Sequence, residues 1–141
     1  MMLNKKIILA SLMVMGLSHS AFADNLIFKC KFKNNKQVML YKDSNEIEYL
    51  FGKIGSAPDI ELKREISQLD VDMANLSGRY LTNSIIIKNK AYGYRLTTSV
   101  DKIADEQVPK STLTIMKNGK DLTSFQCIKG SEVGALAYID D

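Results

Sequence analysis

The chain has 141 residues, and its 19 basic and 16 acidic side chains give a formal net charge of +3. This near balance is unlike the excess of basic side chains that general binding to nucleic acid requires, so no nucleic-acid partner is expected. The chain has two cysteines, one histidine and no tryptophan.

The first 23 residues have the pattern of a secretory signal peptide. Lys5 and Lys6 precede an apolar run over residues 7–17, and the segment ends in Ala-Phe-Ala, which is typical of a signal-peptidase cleavage site. The run is about half the roughly 20 residues needed to cross a bilayer, so we expect a cleaved leader and no stable membrane insertion. These features predict a periplasmic protein whose mature form begins at Asp24.

Removal of 23 of the 141 residues leaves 118, which suits a single β-rich domain over residues 24–141. The mature chain loses Lys5 and Lys6, so 17 basic side chains face 16 acidic ones and the net charge is about +1. It also loses His19, the one histidine, and with it any Ser-His-Asp or Cys-His nucleophile system and any zinc site of histidine and cysteine ligands. We predict no catalytic residue, no metal and no cofactor, and we do not expect an enzyme.

The start of the mature chain alternates between two faces, with Phe28, Cys30 and Phe32 on one side and lysines on the other. A period of two is the signature of a half-buried strand. Short polar stretches then separate two further strand patterns, which predicts a meander. The three strands predicted for this meander cover residues 26–33, 37–42 and 46–54.

The middle of the chain begins with a predicted long turn over residues 52–58, where two glycines and a proline disfavour a regular ladder. Residues 60–66 alternate again and predict a fourth strand, although a helix stays open. Residues 67–79 fit a strand, an irregular loop or both. Next come a predicted hairpin and a polar connection: strands 80–88 and 91–100, then a loop or short helical turn over 101–110.

The clearest hairpin signal is Asn118-Gly119, which lies between apolar runs over residues 111–117 and 120–129. Both residues tolerate the positive φ of a type I′ turn, so the pair predicts a tight two-residue connection. For the last segment, residues 131–141, the sequence allows a final strand, a docked segment or a flexible tail.

Short strands at close spacing, with no long segment of helical period, are typical of an all-β domain. We expect a small antiparallel β-barrel or sandwich of about seven or eight strands. Cys30 and Cys127 are predicted to form one disulfide, because an exported chain is oxidised and no Cys-x-x-Cys redox motif is present.

Two further functional readings rest on acidic residues. Residues 43–46 share the polar composition of a calcium loop but lack its spaced carboxylates and its glycine. Carboxylate pairs such as Asp70 with Asp72, or Asp101 with Asp105, are the groups that a glycosidase needs across a cleft. A carboxylate-only hydrolase therefore stays open as the least favoured function.

A resemblance to a known family begins in a turn and extends through the next strand and its lysine-bearing turn. The residues that carry it are Ser77, Gly78, Arg79, Tyr80, Lys88, Lys90 and Ala91. This stretch resembles the signature of the bacterial inhibitors of c-type lysozyme, which are small exported β-barrel proteins. Weaker matches are the Phe28-Lys29-Cys30 segment and the late Cys127.

The resemblance implies that Ser77 supplies a hydroxyl and that Lys88 or Lys90 supplies a cation to the catalytic carboxylates of the inhibited enzyme. Arg79 and Tyr80 belong to the same predicted partner-binding group. We therefore expect a periplasmic, non-catalytic binding protein, an inhibitor or immunity protein whose protein partner is a peptidoglycan hydrolase. The alternative is a structural or assembly factor of the cell envelope that binds another protein by an exposed strand edge.

Overall fold

In the computed structural model, which describes residues 25–141, ten strands form two antiparallel sheets of five strands each. The strands are β1 (Leu26–Lys31), β2 (Lys36–Asp43), β3 (Glu46–Lys53), β4 (Ile60–Glu65), β5 (Asp70–Ser77), β6 (Tyr80–Asn89), β7 (Tyr92–Asp101), β8 (Lys110–Lys117), β9 (Lys120–Gln126) and β10 (Val133–Gly134). The first sheet has the order β10-β1-β2-β3-β4 and the second has the order β5-β6-β7-β8-β9. The predicted leader, residues 1–23, lies outside the described residues.

The all-β fold class is confirmed. The two sheets are separate and form a sandwich, which is one of the two predicted architectures. The strand count exceeds the expected seven or eight because two ambiguous segments contribute strands, β5 and the two-residue β10. The connection from β7 to β8 is the polar loop that the sequence predicts. The connection from β4 to β5 contains a short 3-10 helix, Ile66–Gln68, and carries the chain from the first sheet to the second.

Aromatic rings from both sheets meet in the core. The ring of Tyr49 on β3 stacks on that of Tyr94 on β7, with centroids 5.2 Å apart. The ring centroids of Phe51 and Phe125 lie 5.9 Å apart, and the centroid of the Phe32 ring lies 5.7 Å from that of Phe125. Such tilted and offset pairs are the favoured arrangements of aromatic side chains, so they fix how the two sheets pack.

The predicted disulfide between Cys30 and Cys127 is present, with the two Cα atoms 5.7 Å apart and a separation of 97 residues in sequence. Phe32 also forms an isolated β-bridge with Cys127, and the N–H of Ile128 donates to the carbonyl of Lys31 at 2.8 Å. The end of β9 is thus tied to the end of β1. In the chain-entropy description, closing a loop of this length stabilises the fold by about 4 to 5 kcal/mol.

The C-terminal segment is docked. Gly134 on β10 pairs with Phe28 on β1, and a 3-10 helix, Leu136–Asp140, follows. Leu136 and Ile139 of this helix are buried in the core and close one side of it. Within residues 25–141, no helix is long and apolar enough to span a membrane.

Candidate functional site

The five residues predicted to bind a partner fall into two groups at opposite ends of β6. Ser77 ends β5, Arg79 lies in the following turn and Tyr80 begins β6. Lys88 lies near the other end of β6, and Lys90 lies in the turn to β7. A strand rises by about 3.3 Å per residue, so the backbones of Tyr80 and Lys88 are separated by roughly 26 Å. The structure therefore does not bring Ser77 together with either lysine.

At the first end, Arg79 is held by Asp101 through two contacts, Nε to Oδ1 at 2.8 Å and Nη2 to Oδ2 at 2.7 Å. The same Oδ1 accepts hydrogen bonds from the backbone N–H groups of Ile103 and Ala104. Hydrogen bonding to Arg79 holds the pKa of the Asp101 carboxyl below its ordinary value. Arg79 thus anchors the start of the loop over residues 102–109.

At the second end, the ammonium group of Lys88 is already paired, 2.9 Å from a carboxylate oxygen of Asp70. Both side chains are more than half exposed, so the pair contributes between 0 and about 1 kcal/mol to stability. The backbone carbonyl of Lys88 accepts a hydrogen bond from Nε of Arg64 on β4. The charge that Lys88 offers to a partner is therefore already partly neutralised by Asp70.

Lys90 differs from Lys88 in having no ion-pair or hydrogen-bond partner for its ammonium group anywhere in residues 25–141. It lies at the hairpin tip with a φ of 56°, a left-handed conformation that a two-residue turn requires. The next residue, Ala91, accepts a hydrogen bond of 2.8 Å from the N–H of Asn118. This bond joins the β6–β7 turn to the β8–β9 turn.

The two joined turns form a basic tip, which we define as Lys90, Tyr92, Lys117 and Lys120. Lys117 lies opposite Tyr92 in the sheet, and its ammonium group is 5.5 Å from the centroid of the tyrosine ring. Lys120 lies opposite Lys117 across the β8–β9 turn. A nearby acid, Asp121, is paired with Arg95 at 2.9 Å, so it does not neutralise these lysines. The tip therefore presents concentrated positive charge beside an aromatic ring.

In the part of the chain that the structure describes, there is a cavity at each end of the second sheet. A shallow one of about 290 Å³ is lined in part by Lys88, Lys90 and Tyr92. A larger cleft of about 750 Å³ opens beside the disulfide, with Phe32 and Phe125 among its lining residues. Sequence reasoning missed this cleft because its walls come from segments far apart in the chain. The local sequence signal for the cleft is Val108, an apolar residue within a polar loop.

The carboxylates considered for glycoside hydrolysis are mostly engaged. Asp70 holds Lys88, Asp101 holds Arg79, and Asp72 accepts a hydrogen bond of 2.9 Å from the amide of Asn75. Across residues 25–141, no group of three or more His, Cys, Asp or Glu side chains is arranged to hold a metal ion. Both cysteines are in the disulfide.

Fold and surface together define a disulfide-tied antiparallel β-sandwich with a basic tip at one end and an apolar cleft at the other. Comparison of the chain with protein-family models, with curated proteins and with solved structures finds no match. Function is therefore inferred from the side chains and their geometry.

Proposed function

We propose that the protein is a non-catalytic binding protein of the periplasm, an inhibitor or immunity protein that blocks a cell-wall-degrading enzyme with its basic tip. The observation that carries this proposal is Lys90, an unpaired cation on a hairpin turn that is hydrogen-bonded to the neighbouring turn. The signal-peptide pattern and the disulfide support an exported location.

The charge of the tip suits the chemistry of such an enzyme. Glycoside hydrolases place two carboxyl groups on either side of the bond that they cleave. A lysine ammonium that enters this cleft forms charge-assisted hydrogen bonds, which are about twice as strong as neutral ones. Lys117 and Lys120 add positive charge that steers the tip towards an acidic cleft.

Of the two lysines that the resemblance leaves open, the geometry favours Lys90. Lys90 is unpaired, whereas the charge of Lys88 is already partly neutralised by Asp70. The bond from Asn118 to Ala91 holds the turn before the partner arrives, which lowers the entropic cost of association. Ser77 contacts the same partner only if that partner extends along the whole of β6.

The test is inhibition of cell-wall lysis by the mature protein, measured as the loss of turbidity of a bacterial wall suspension treated with a c-type lysozyme or with other peptidoglycan hydrolases. Lys90→Ala should weaken inhibition by about tenfold or more, with an unchanged melting temperature because the exposed ammonium group has no ion-pair or hydrogen-bond partner in residues 25–141. Lys53→Ala is the matched control, since this exposed lysine ends β3 at the other end of the sandwich. Full potency of Lys90→Ala, or no inhibition of any hydrolase, would refute the proposal.

The envelope assembly factor is the second candidate, and one observation favours it. β9 is an edge strand that pairs with β8 only, and its Leu122 is 58% exposed. An exposed edge can accept a strand from another protein. In that case the protein leaves hydrolases unaffected, and Leu122→Asp rather than Lys90→Ala abolishes binding of its partner.

A further inference from the structure

The cleft beside the disulfide lies at the end of the sandwich opposite the basic tip. Four separate parts of the chain line it: the turn after β1, the end of the 102–109 loop, the end of β9 and the segment that follows Cys127. Its volume of about 750 Å³ is within the range of roughly 300 to 1,000 Å³ that is typical of small-molecule sites.

The floor of the cleft is apolar and well packed. Phe32 is almost completely buried, and the centroid of its ring lies 5.7 Å from that of Phe125. Val108 and Ile128 line the same cleft and remain 40% and 39% exposed. These two side chains offer apolar surface that a ligand can cover.

The rim of the cleft is basic. Lys33, Lys110 and Lys129 line it, and the only acidic side chain among its lining residues is Glu132. Burial raises the pKa of the Glu132 carboxyl, while hydrogen bonds from the backbone and hydroxyl of Ser111 act in the opposite direction. Three lysines against one carboxyl leave a positive rim around an apolar floor.

We propose that this cleft binds a single-chain amphiphile, an alkyl chain that carries one carboxylate. The chain lies against Phe125, Val108 and Ile128, and the carboxylate lies among the rim lysines. An acidic peptide is less suitable, because its backbone N–H and C=O groups would be buried against phenyl rings without hydrogen-bond partners. The ligand needs both halves of the cleft, the apolar floor for its chain and the lysines for its charge.

This site is independent of the proposed hydrolase inhibition. Residues of the basic tip are absent from the lining of the cleft, and the two surfaces lie at opposite ends of β8 and β9. A failure of one function therefore leaves the other to be judged by its own variants.

The experiment is calorimetric titration of the mature protein with decanoate, with 1-decanol as the uncharged probe of the same chain length. We expect one decanoate to bind per chain, about tenfold or more tighter than 1-decanol. The double variant Lys110→Ala/Lys129→Ala should weaken decanoate by about tenfold and leave 1-decanol unchanged. Lys53→Ala, outside the cleft lining, should change decanoate affinity by less than about twofold.

Two further variants test the floor and the sign of the charge. Val108→Glu places a carboxylate on an exposed loop residue in the cleft and should abolish decanoate binding while the melting temperature is kept. Glu132→Gln removes the single opposing charge and should tighten decanoate by about threefold. Equal affinities for decanoate and 1-decanol, several decanoates per chain, or an acidic decapeptide that binds more tightly than decanoate would each overturn the proposal.

Discussion

The hydroxyl of Tyr49 is a buried polar group whose removal should stabilise the protein. Tyr49 is fully buried between the sheets, and among residues 25–141 its hydroxyl has no hydrogen-bond partner. Burial, and secondarily the neighbouring Tyr94, raises the pKa of this hydroxyl far above its ordinary value. An unsatisfied buried hydroxyl costs about 1 to 3 kcal/mol. The substitution Tyr49→Phe removes that cost and keeps the ring.

We expect Tyr49→Phe to raise the free energy of unfolding by about 1 kcal/mol, since the ring stacking on Tyr94 is retained and a small void replaces the oxygen. For a domain of this size the melting temperature should rise by roughly 4 °C. The assay is urea unfolding with the disulfide intact, analysed as a two-state transition. If the slope of the free energy of unfolding against urea concentration is unchanged, only the stability has changed.

Tyr94→Phe is the matched control, because hydrogen bonding to the Asn89 side chain acts to lower the pKa of the Tyr94 hydroxyl, against the larger effect of burial. Loss of this hydroxyl should lower the free energy of unfolding by about 1 kcal/mol. The two substitutions remove the same atom from stacked rings and should shift stability in opposite directions. A loss of more than about 0.5 kcal/mol in Tyr49→Phe would refute the reasoning, because it would show that the hydroxyl makes a favourable contact.

Two further predictions concern Gly134 and Arg79. Gly134→Ala should lower the free energy of unfolding by about 2 to 4 kcal/mol in urea titrations, because Gly134 has a φ of 75° and an added Cβ would clash with the backbone of β1. Arg79→Ala should speed hydrogen exchange in the 102–109 loop without changing the melting temperature. In the folded protein the pKa of the Asp101 carboxyl lies below its ordinary value of 3.8. Its contact with Arg79 is therefore complete above pH 3.8 and is lost as the pH falls through the folded pKa.

Gly134→Ala has a matched control. Gly130→Ala has a similar φ of 82° but open space around the added Cβ, so it should cost only about 1 to 2 kcal/mol. Equal losses in the two alanine variants would contradict a role for the contact with β1. For the loop, Arg79→Ala should show low exchange protection at neutral pH as well as in acid. Protection equal to that of the unchanged protein would mean that Arg79 does not hold the loop.

The sequence predicted most of the strands because the signals for strands and tight turns are local. Asn118 and Gly119 have φ values of 51° and 77°, as the type I′ prediction requires. The segment 67–79 was ambiguous for a reason that the structure shows. Ala74 has a φ of 55° and interrupts β5 at a bulge, so the alternation of side chains is broken there.

The candidate site was harder to predict than the fold. Ser77 and Lys88 are close in sequence, and the resemblance placed them on one binding surface. A continuous strand of ten residues, β6, separates them. The difference between Lys88 and Lys90 also depends on a distant residue, Asp70, which reaches Lys88 only because β5 folds back along β6.

The sequence by itself determined the strands, the tight turns and the pairing of the only two cysteines, since each follows from local alternation, from turn chemistry or from composition. Only the tertiary structure decided which strands share a sheet, which lysine is unpaired and where a cleft opens. The physical reason is that alternation marks the apolar face of a strand but not its neighbours. The cleft is lined by residues about 100 positions apart in sequence, such as Phe32 and Glu132, and no local pattern specifies such contacts.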